Sequence, residues 1–204
     1  MPSDLAESLD VALRTELSPL GFSLARRHRW VSDSLGPIRK IFELQAIKGG
    51  RWSPRWGFSV DFVPLLRGGR LLWKRTDKSA AFDLCFDPID MGDMRQAISQ
   101  PAEVAKVIPE AIRAAKEDYS LGTRVEDLVS LFEARSKMSF SRFSLENYTQ
   151  THLAWGLALI GIGKKAEGDK HLDRFCNAYE IDPNDPILLK ARTAAADHFR
   201  TCNT

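Results

Sequence analysis

Residues 38–65, IRKIFELQAIKGGRWSPRWGFSVDFVPL, decide the fold of this 204-residue chain because apolar and polar side chains alternate along them. The alternation is clear from Phe42 to Gln45, and the same two-residue period returns from Phe58 to Phe62. A period of two places successive side chains on opposite faces of a strand. Because a pair of glycines separates the two runs, the pattern predicts two antiparallel strands, Ile38–Ile47 and Arg55–Leu65, with one apolar face.

Three more strands are predicted, one before this pair and two after it. Phe22–Val31 shows the two-residue period before it. The run Arg67-Gly68-Gly69-Arg70 is a hairpin signal, since glycine adopts the positive φ angles of tight turns. It leads into a short strand, Leu71–Arg75, and a fifth strand is predicted at Ala80–Phe86. Turns this close together in the chain predict a five-stranded antiparallel meander.

Helical periodicity replaces the two-residue period at both ends of the chain. An N-terminal helix, capped by Ser3 or Asp4, carries leucines at helical spacing up to Leu17. The polar stretch Ser136–Ser144 is the predicted boundary between an α+β domain, residues 1–135, and a helical subdomain, residues 145–204. The fold class is therefore α+β, with a helical second half predicted at Pro101–Tyr119, Arg124–Lys137, Leu145–Ile162, Ala166–Ile181 and Pro186–Arg200.

The composition is that of a globular protein with an uneven distribution of charge. Hydrophobic residues make up 44% of the chain and charged residues 27%, and the net charge is +2. Residues 21–75 hold 12 Lys and Arg against 3 Asp and Glu, whereas the chain from Thr76 onward holds 16 against 20. The predicted sheet region is therefore basic, and the predicted helical region is mildly acidic.

Cysteine usage and hydropathy give the expected location. Three scattered cysteines, at positions 85, 176 and 202, form no CxxC pair, which is typical of a reducing compartment. The acidic first residues do not have the pattern of a signal peptide. The most apolar stretch, Leu153–Ile162, is much shorter than the roughly 20 residues that span a bilayer. We expect a soluble, cytoplasmic protein without a membrane partner.

No motif in the sequence specifies a catalytic or cofactor site. HExxH, GxSxG, GxxxxGK[ST] and GxGxxG are all absent. The four histidines lack the spacing of metal ligands, and the separation of His152 from His171 is one that chance would produce. No metal or cofactor is expected, and any catalysis would need an acid/base site that carries no sequence motif.

The polar face of the predicted sheet is where such a site would lie. If the strand aromatics and aliphatics point to the core, alternation sends Glu43, Gln45, Asp61 and Asp83 to the opposite face. Carboxylates beside arginines such as Arg29 could form an acid/base or anion site, or a solvated face with cross-strand ion pairs. Both interpretations stay open from the sequence. The predicted core set is Phe42, Leu44, Phe58, Val60, Phe62, Phe82, Leu84 and Phe86.

Tryptophans and basic residues interleave in the sheet region. Aromatic and arginine side chains are enriched at the centres of protein interfaces, and the same mixture binds single-stranded nucleic acids by stacking and charge. The sequence favours a binding protein that recognises a protein partner, with single-stranded nucleic acid as the alternative and an acid/base enzyme on the polar face as a third. The candidate anchors are Trp52, Arg55, Trp56 and Trp73.

The segment from Leu17 to Phe62 resembles a family of bacterial domains of unknown function. In that family a helix ends in a leucine and a Gly-Phe turn, and strands with an aromatic, an apolar-Gln pair and alternating aromatics follow. The resemblance implies a toxin-binding role, because similar domains occur near toxin systems and some related families are immunity proteins. The matching residues are Leu17, Leu20, Gly21, Phe22, Trp30, Ile41, Phe42, Leu44, Gln45, Trp56, Phe58 and Phe62.

The segment 152–199 resembles one and a half tetratricopeptide repeats. Trp155, Phe175, Ala178 and Pro183 fall at the spacing of that repeat, which implies a helical hairpin used as a contact surface. The segment departs from the pattern where the repeat has small residues, because Leu159 and His171 stand there and would push the helices apart. An ordinary helical hairpin packed on the sheet is the other interpretation.

Overall fold

A computed structural model of the chain describes residues 2–33, 36–73, 76–88, 97–137 and 150–202. It confirms the α+β class, with an N-terminal helix, a five-stranded antiparallel sheet and further helices. The helices are α1 (Pro2–Leu17), α2 (Pro101–Ser120), α3 (Val125–Ser136), α4 (Thr151–Gly161), α5 (Lys165–Tyr179) and α6 (Pro186–Cys202). The strands are β1 (Phe22–Arg26), β2 (Arg29–Ser32), β3 (Ile38–Ile47), β4 (Arg51–Val60), β5 (Leu65–Arg67), β6 (Arg70–Leu72) and β7 (Leu84–Phe86).

The main sheet has the strand order β1-β2-β3-β4-β7, and every neighbouring pair is antiparallel. β3 and β4 form the long central hairpin, in which Phe42 pairs with Trp56 and Glu43 with Arg55. The turn between them contains Gly49 and Gly50, both with positive φ angles. The stretch that decides the fold in the sequence is therefore the centre of the sheet.

From β1 to β6, the strands differ from the prediction in three places. The predicted strand Phe22–Val31 is a hairpin, because His28 takes a left-handed backbone with φ 59° and reverses the chain. β4 begins at Arg51 and ends at Val60, since the chain turns there and the Val63 N–H donates to the Val60 carbonyl. The predicted glycine hairpin does form, but its strands β5 and β6 make a separate two-stranded sheet. Lys74 and Arg75, at the end of the predicted fourth strand, lie outside the described residues.

One face of the sheet packs on α1 and α2. Leucines of α1 and the apolar stripe of α2 belong to the same buried cluster as Phe42 and Phe58. The hydroxyl of Tyr119 in α2 donates to the Ile41 carbonyl at 2.7 Å, and the indole N–H of Trp56 donates to Asp118 at 2.7 Å. These bonds hold α2 against the centre of the sheet.

The C-terminal helices share this core. The Phe132 ring of α3 stacks on Trp155 of α4, with ring centroids 5.7 Å apart and planes 10° apart. Phe62, just after β4, lies against His198 of α6 at 5.9 Å. Buried residues of α4, α5 and α6 belong to the same cluster as the sheet. The predicted domain boundary falls largely on residues 138–149, which the structure does not describe.

β7 is a short strand at one edge of the sheet. It approaches β4 so closely that a Cβ on Gly57 would lie 2.0 Å from the Leu84 carbonyl oxygen, so glycine is required there. On its other side, Nη1 of Arg135 in α3 donates to the Cys85 carbonyl. The Arg135 guanidinium also lies over the Phe86 ring, 4.7 Å from its centroid. α3 therefore shields this edge of the sheet.

Candidate functional site

Glu43 lies between two arginines on the sheet face opposite α2. Its Oε2 accepts hydrogen bonds from Nη2 of Arg29 on β2 at 2.8 Å and Nη2 of Arg55 on β4 at 3.0 Å. Arg29 also donates to the Ala80 carbonyl at 2.8 Å. The carboxylate is only 16% exposed and is already paired on both sides. Its arrangement is that of a cross-strand ion triad rather than of an acid or base facing a substrate.

The other three polar-face residues make contacts of their own. Asp61 contacts Arg39 at 3.2 Å, and its backbone N–H donates to the Pro37 carbonyl. Pro37 precedes Glu43 by six residues, so the backbones of Asp61 and Glu43 are about 20 Å apart along the extended chain. Asp83 accepts from the backbone N–H of Val60 at 2.7 Å, and Gln45 donates to Asp87 at 2.5 Å. The four predicted side chains therefore form separate contacts and do not converge on a common cleft.

The polar face is also less solvated than either interpretation from the sequence assumes. The residues before β7 cross over it, so Ala80 and Phe82 pack against Val31 and Ile41. Phe82 was predicted to face the main core with Phe86, and this prediction is wrong. The reason is that residues 80–83 are not strand, so side-chain alternation cannot be extended back from Phe86 to them.

The four predicted anchors do not form one surface. Trp56 is 3% exposed and stacks on Phe42 in the core. Trp52 is half-buried, with its ring 4.6 Å from that of His28. Arg55 is on the opposite sheet face with Glu43. Trp73 is half-buried and lies beneath the Lys190 ammonium of α6, at 4.5 Å.

The topology places a different set of basic residues at one end of the sheet. β2 runs antiparallel to β3 with Arg29 beside Glu43, so the β1–β2 turn and the β3–β4 turn lie at the same end of the sheet. The backbone ties the first turn to β3, since the Leu44 N–H donates to the His28 carbonyl at 2.9 Å. We call this surface the basic end, and it consists of Arg26, Arg27, Lys48 and Arg51.

The charges of the basic end are not neutralised within the described chain. Arg26, Arg27 and Lys48 are exposed and Arg51 is half-buried. None of the four forms an ion pair with another described residue. By contrast, the arginines at 29, 39 and 55 on the sheet face are all paired. Since the half-buried Trp52 lies at the start of β4, the basic end combines free cations with an aromatic edge.

His28 supports the basic end from below. Its side chain is 2% exposed, and Nδ1 lies 3.0 Å from Oδ1 of Asp10 in α1, without hydrogen-bond geometry. Burial lowers the pKa of His28, and the Asp10 carboxylate opposes this only in part. A neutral, buried imidazole therefore holds the turn that carries Arg26 and Arg27.

A second cluster joins two histidines whose spacing in the sequence indicates no metal site. Nδ1 of His152 in α4 lies 2.9 Å from Nδ1 of His171 in α5. The sequence does contain a signal for this contact, because the two residues are nearly equidistant from Ile162 at the turn of the predicted hairpin. Residues placed in this way face each other when the two helices are antiparallel. Within the described ranges, no group of three or more His, Cys, Asp or Glu side chains could hold a metal ion.

The two helices meet through glycines, and the predicted obstruction is absent there. A Cβ on Gly168 would lie 2.6 Å from the Gly156 carbonyl oxygen, and one on Gly156 would lie 2.9 Å from that of Gly168. These glycines precede His171 and Leu159 by three residues in each helix. The close approach at the glycines is what allows the larger residues one turn away to be accommodated.

Comparison of the chain with protein-family models, curated proteins and solved structures finds no match. Among the helices of the described residues, none combines the length and the apolar character needed to cross a membrane.

Proposed function

We propose that this chain is a binding protein that recognises an acidic surface of a protein partner through the basic end of its sheet. The observation that supports this most strongly is that two hairpin turns place four cations at the same end of the sheet, with no ion-pair partner among the described residues. Complementary charge guides association and fixes orientation. The half-buried Trp52 supplies an aromatic edge at the border of the cations.

The resemblance of residues 17–62 to bacterial domains near toxin systems suggests which partner to test first. An acidic toxin would fit the basic end, and the chain would then act as an immunity protein that neutralises it. This part of the proposal depends on analogy, whereas the charge of the partner depends on the surface itself.

The test compares two charge reversals of equal size. The variant Arg27→Glu/Lys48→Glu changes the basic end, and Arg67→Glu/Arg70→Glu changes the exposed turn of the β5–β6 hairpin by the same charge. Tagged wild-type protein and both variants are used to isolate stoichiometric partners from the native host, and affinity for the purified partner is then measured at low and high salt.

We expect the wild type and the hairpin control to bind an acidic partner, and the basic-end variant to bind at least about tenfold more weakly. Added salt should weaken wild-type binding more than it weakens binding of the basic-end variant. The proposal would be contradicted if both variants lost affinity equally, or if neither variant changed the affinity for the partner.

Single-stranded nucleic acid remains a second candidate because Trp52 stands beside the cations, and stacking combined with phosphate contacts is how such strands are bound. Fluorescence anisotropy with a labelled oligonucleotide separates the two. Nucleic-acid binding predicts a linear fall of the logarithm of affinity with the logarithm of salt concentration, with a smaller slope in the basic-end variant. If the oligonucleotide does not bind even at low salt, the protein partner is the only candidate left of the two.

A further inference from the structure

We propose that His152 and His171 form a two-nitrogen chelating site for a late first-row divalent cation, Zn²⁺ or Cu²⁺. The proposal starts from their contact, in which the two Nδ1 atoms face each other at 2.9 Å across the α4–α5 hairpin. Imidazole nitrogen is a preferred ligand of these metals. The site is separate from the basic end and independent of the proposed function.

The distance between the two nitrogens fits a shared metal ion. Metal–nitrogen bonds of about 2.0–2.1 Å place two ligands about 2.9 Å apart when they subtend 90°, and about 3.3 Å apart in a tetrahedral site. The observed 2.9 Å separation lies within a few tenths of an ångström of both values. Among the described residues, no third His, Cys, Asp or Glu joins the pair, so the site that we propose is defined by these two nitrogens.

The two rings are held in place before any metal arrives. The contact between Gly156 and Gly168 fixes how closely the helices approach. The ring of Trp155 lies 4.3 Å from that of His171, and Phe132 stacks on the same tryptophan with its centroid 5.7 Å away. Side chains locked by packing lose little freedom on binding, which raises affinity for a ligand that matches their geometry.

Binding of the cation releases no proton from the two histidines. In the metal-free pair one ring carries its proton on Nδ1 and donates to the other. When a cation binds, the donor ring changes tautomer and moves that proton to Nε2, so both Nδ1 lone pairs face the metal. Binding should therefore be insensitive to pH where both rings are neutral and should weaken in acid, where protons compete for the same lone pairs.

The first experiment uses the unmodified chain. Calorimetric titration with Zn²⁺ gives stoichiometry and affinity, and long-range nitrogen–proton spectra of ¹⁵N-labelled histidine report which imidazole nitrogens change. We expect one equivalent of Zn²⁺ and shifts of the Nδ1 resonances of two histidines. Absence of binding at about 1 mM Zn²⁺, or shifts confined to other histidines, would overturn the proposal.

Variants then assign the site. His152→Gln and His171→Gln should each weaken binding at least about tenfold, because one nitrogen ligand is lost. The control is His198→Gln/Cys202→Ser, which removes a different pair of potential ligands, an imidazole and a thiol whose Nε2 and Sγ atoms are 3.7 Å apart. Trp155→Phe should retain binding but lose most of the Cu²⁺-induced fluorescence quenching. If only the control variant loses binding, the metal belongs at residues 198 and 202 and the proposal fails.

Discussion

His28 shows how one buried side chain controls a surface that it does not reach. It has a left-handed backbone, packs against Trp52 and is almost fully buried beside Asp10. Burial is the main reason that its pKa is lowered, and the nearby Arg27 lowers it further. As the pH falls below about 6.5, His28 is therefore protonated in the unfolded chain before it is protonated in the folded chain.

The free energy of unfolding should therefore decrease as the pH falls from about 7 to about 5, and His28 should account for part of the decrease. His28→Asn keeps a residue that tolerates the left-handed backbone but does not titrate. We expect it to be about 1–2 kcal/mol less stable at pH 7.5, because it fills less space against Trp52, and to lose less stability in acid. Urea unfolding of the wild type and of His28→Asn at pH 7.5 and at about pH 5 checks this. An unchanged pH dependence in His28→Asn, or an equal reduction in His198→Asn, would contradict it.

Single residues were the hardest part of the candidate site to predict from the sequence. The pattern predicted that Glu43 lies on the sheet face opposite the core, but only the strand register shows that Arg29 and Arg55 neutralise it. Trp56 belongs to the core because its face of β4 packs on α2, where Asp118 accepts its N–H. Exposure depends on what covers a strand, and local sequence does not contain that information.

At the level of elements, the α4–α5 hairpin depends on two glycines in contact. Gly168→Ala would place a methyl group 2.6 Å from the Gly156 carbonyl oxygen and 2.8 Å from Ile160. Overpacking against backbone should outweigh the gain in helix propensity of about 1 kcal/mol. We expect a net loss of about 2 kcal/mol in the free energy of unfolding, measured by chemical denaturation.

The matched control for this prediction is Gly161→Ala in α4. Its new methyl group would lie 3.3 Å from the tip of the Phe62 ring, which can move, so the change should be within about 0.5 kcal/mol of zero. Equal effects of the two substitutions would show that the helix contact does not limit stability. Gly168→Ala should also weaken Zn²⁺ binding, because it changes the separation of the two histidines.

Most elements follow from periodicity, and the exceptions have physical causes. The two-residue period runs without a break from Phe22 to Trp30 although the chain reverses between them. The reversal uses two residues, Arg27 and His28, so Arg26 pairs with Arg29 and the period would shift by one residue. The bulge between Leu24 and Arg26 restores it, and Leu24 pairs with Trp30. Because histidine is not a typical turn residue, neither the period nor the composition indicated this turn. The two turns of the basic end could therefore not be placed together from sequence.

For the whole molecule, the shared core predicts a single unfolding transition. Phe132 and Trp155 stack across α3 and α4, Phe62 touches α6, and Lys190 covers Trp73. We expect urea unfolding followed by tryptophan fluorescence and by far-ultraviolet circular dichroism to give the same midpoint, within about 0.2 M. Two separated transitions would instead show that the helical half unfolds on its own.

The guanidinium of Arg135 has a consequence for how copies of the chain behave at high concentration. An exposed sheet edge can accept a strand from a neighbouring molecule, and repeated addition leads to fibres. At β7 the Cys85 carbonyl already has a donor, and the strand is only three residues long. At β1, on the opposite margin, a bulge between Leu24 and Arg26 interrupts the ladder. A strand from a neighbouring molecule would therefore find the Cys85 carbonyl already hydrogen-bonded at the β7 edge. At the β1 edge it would have to pair with a strand whose register is interrupted by the bulge.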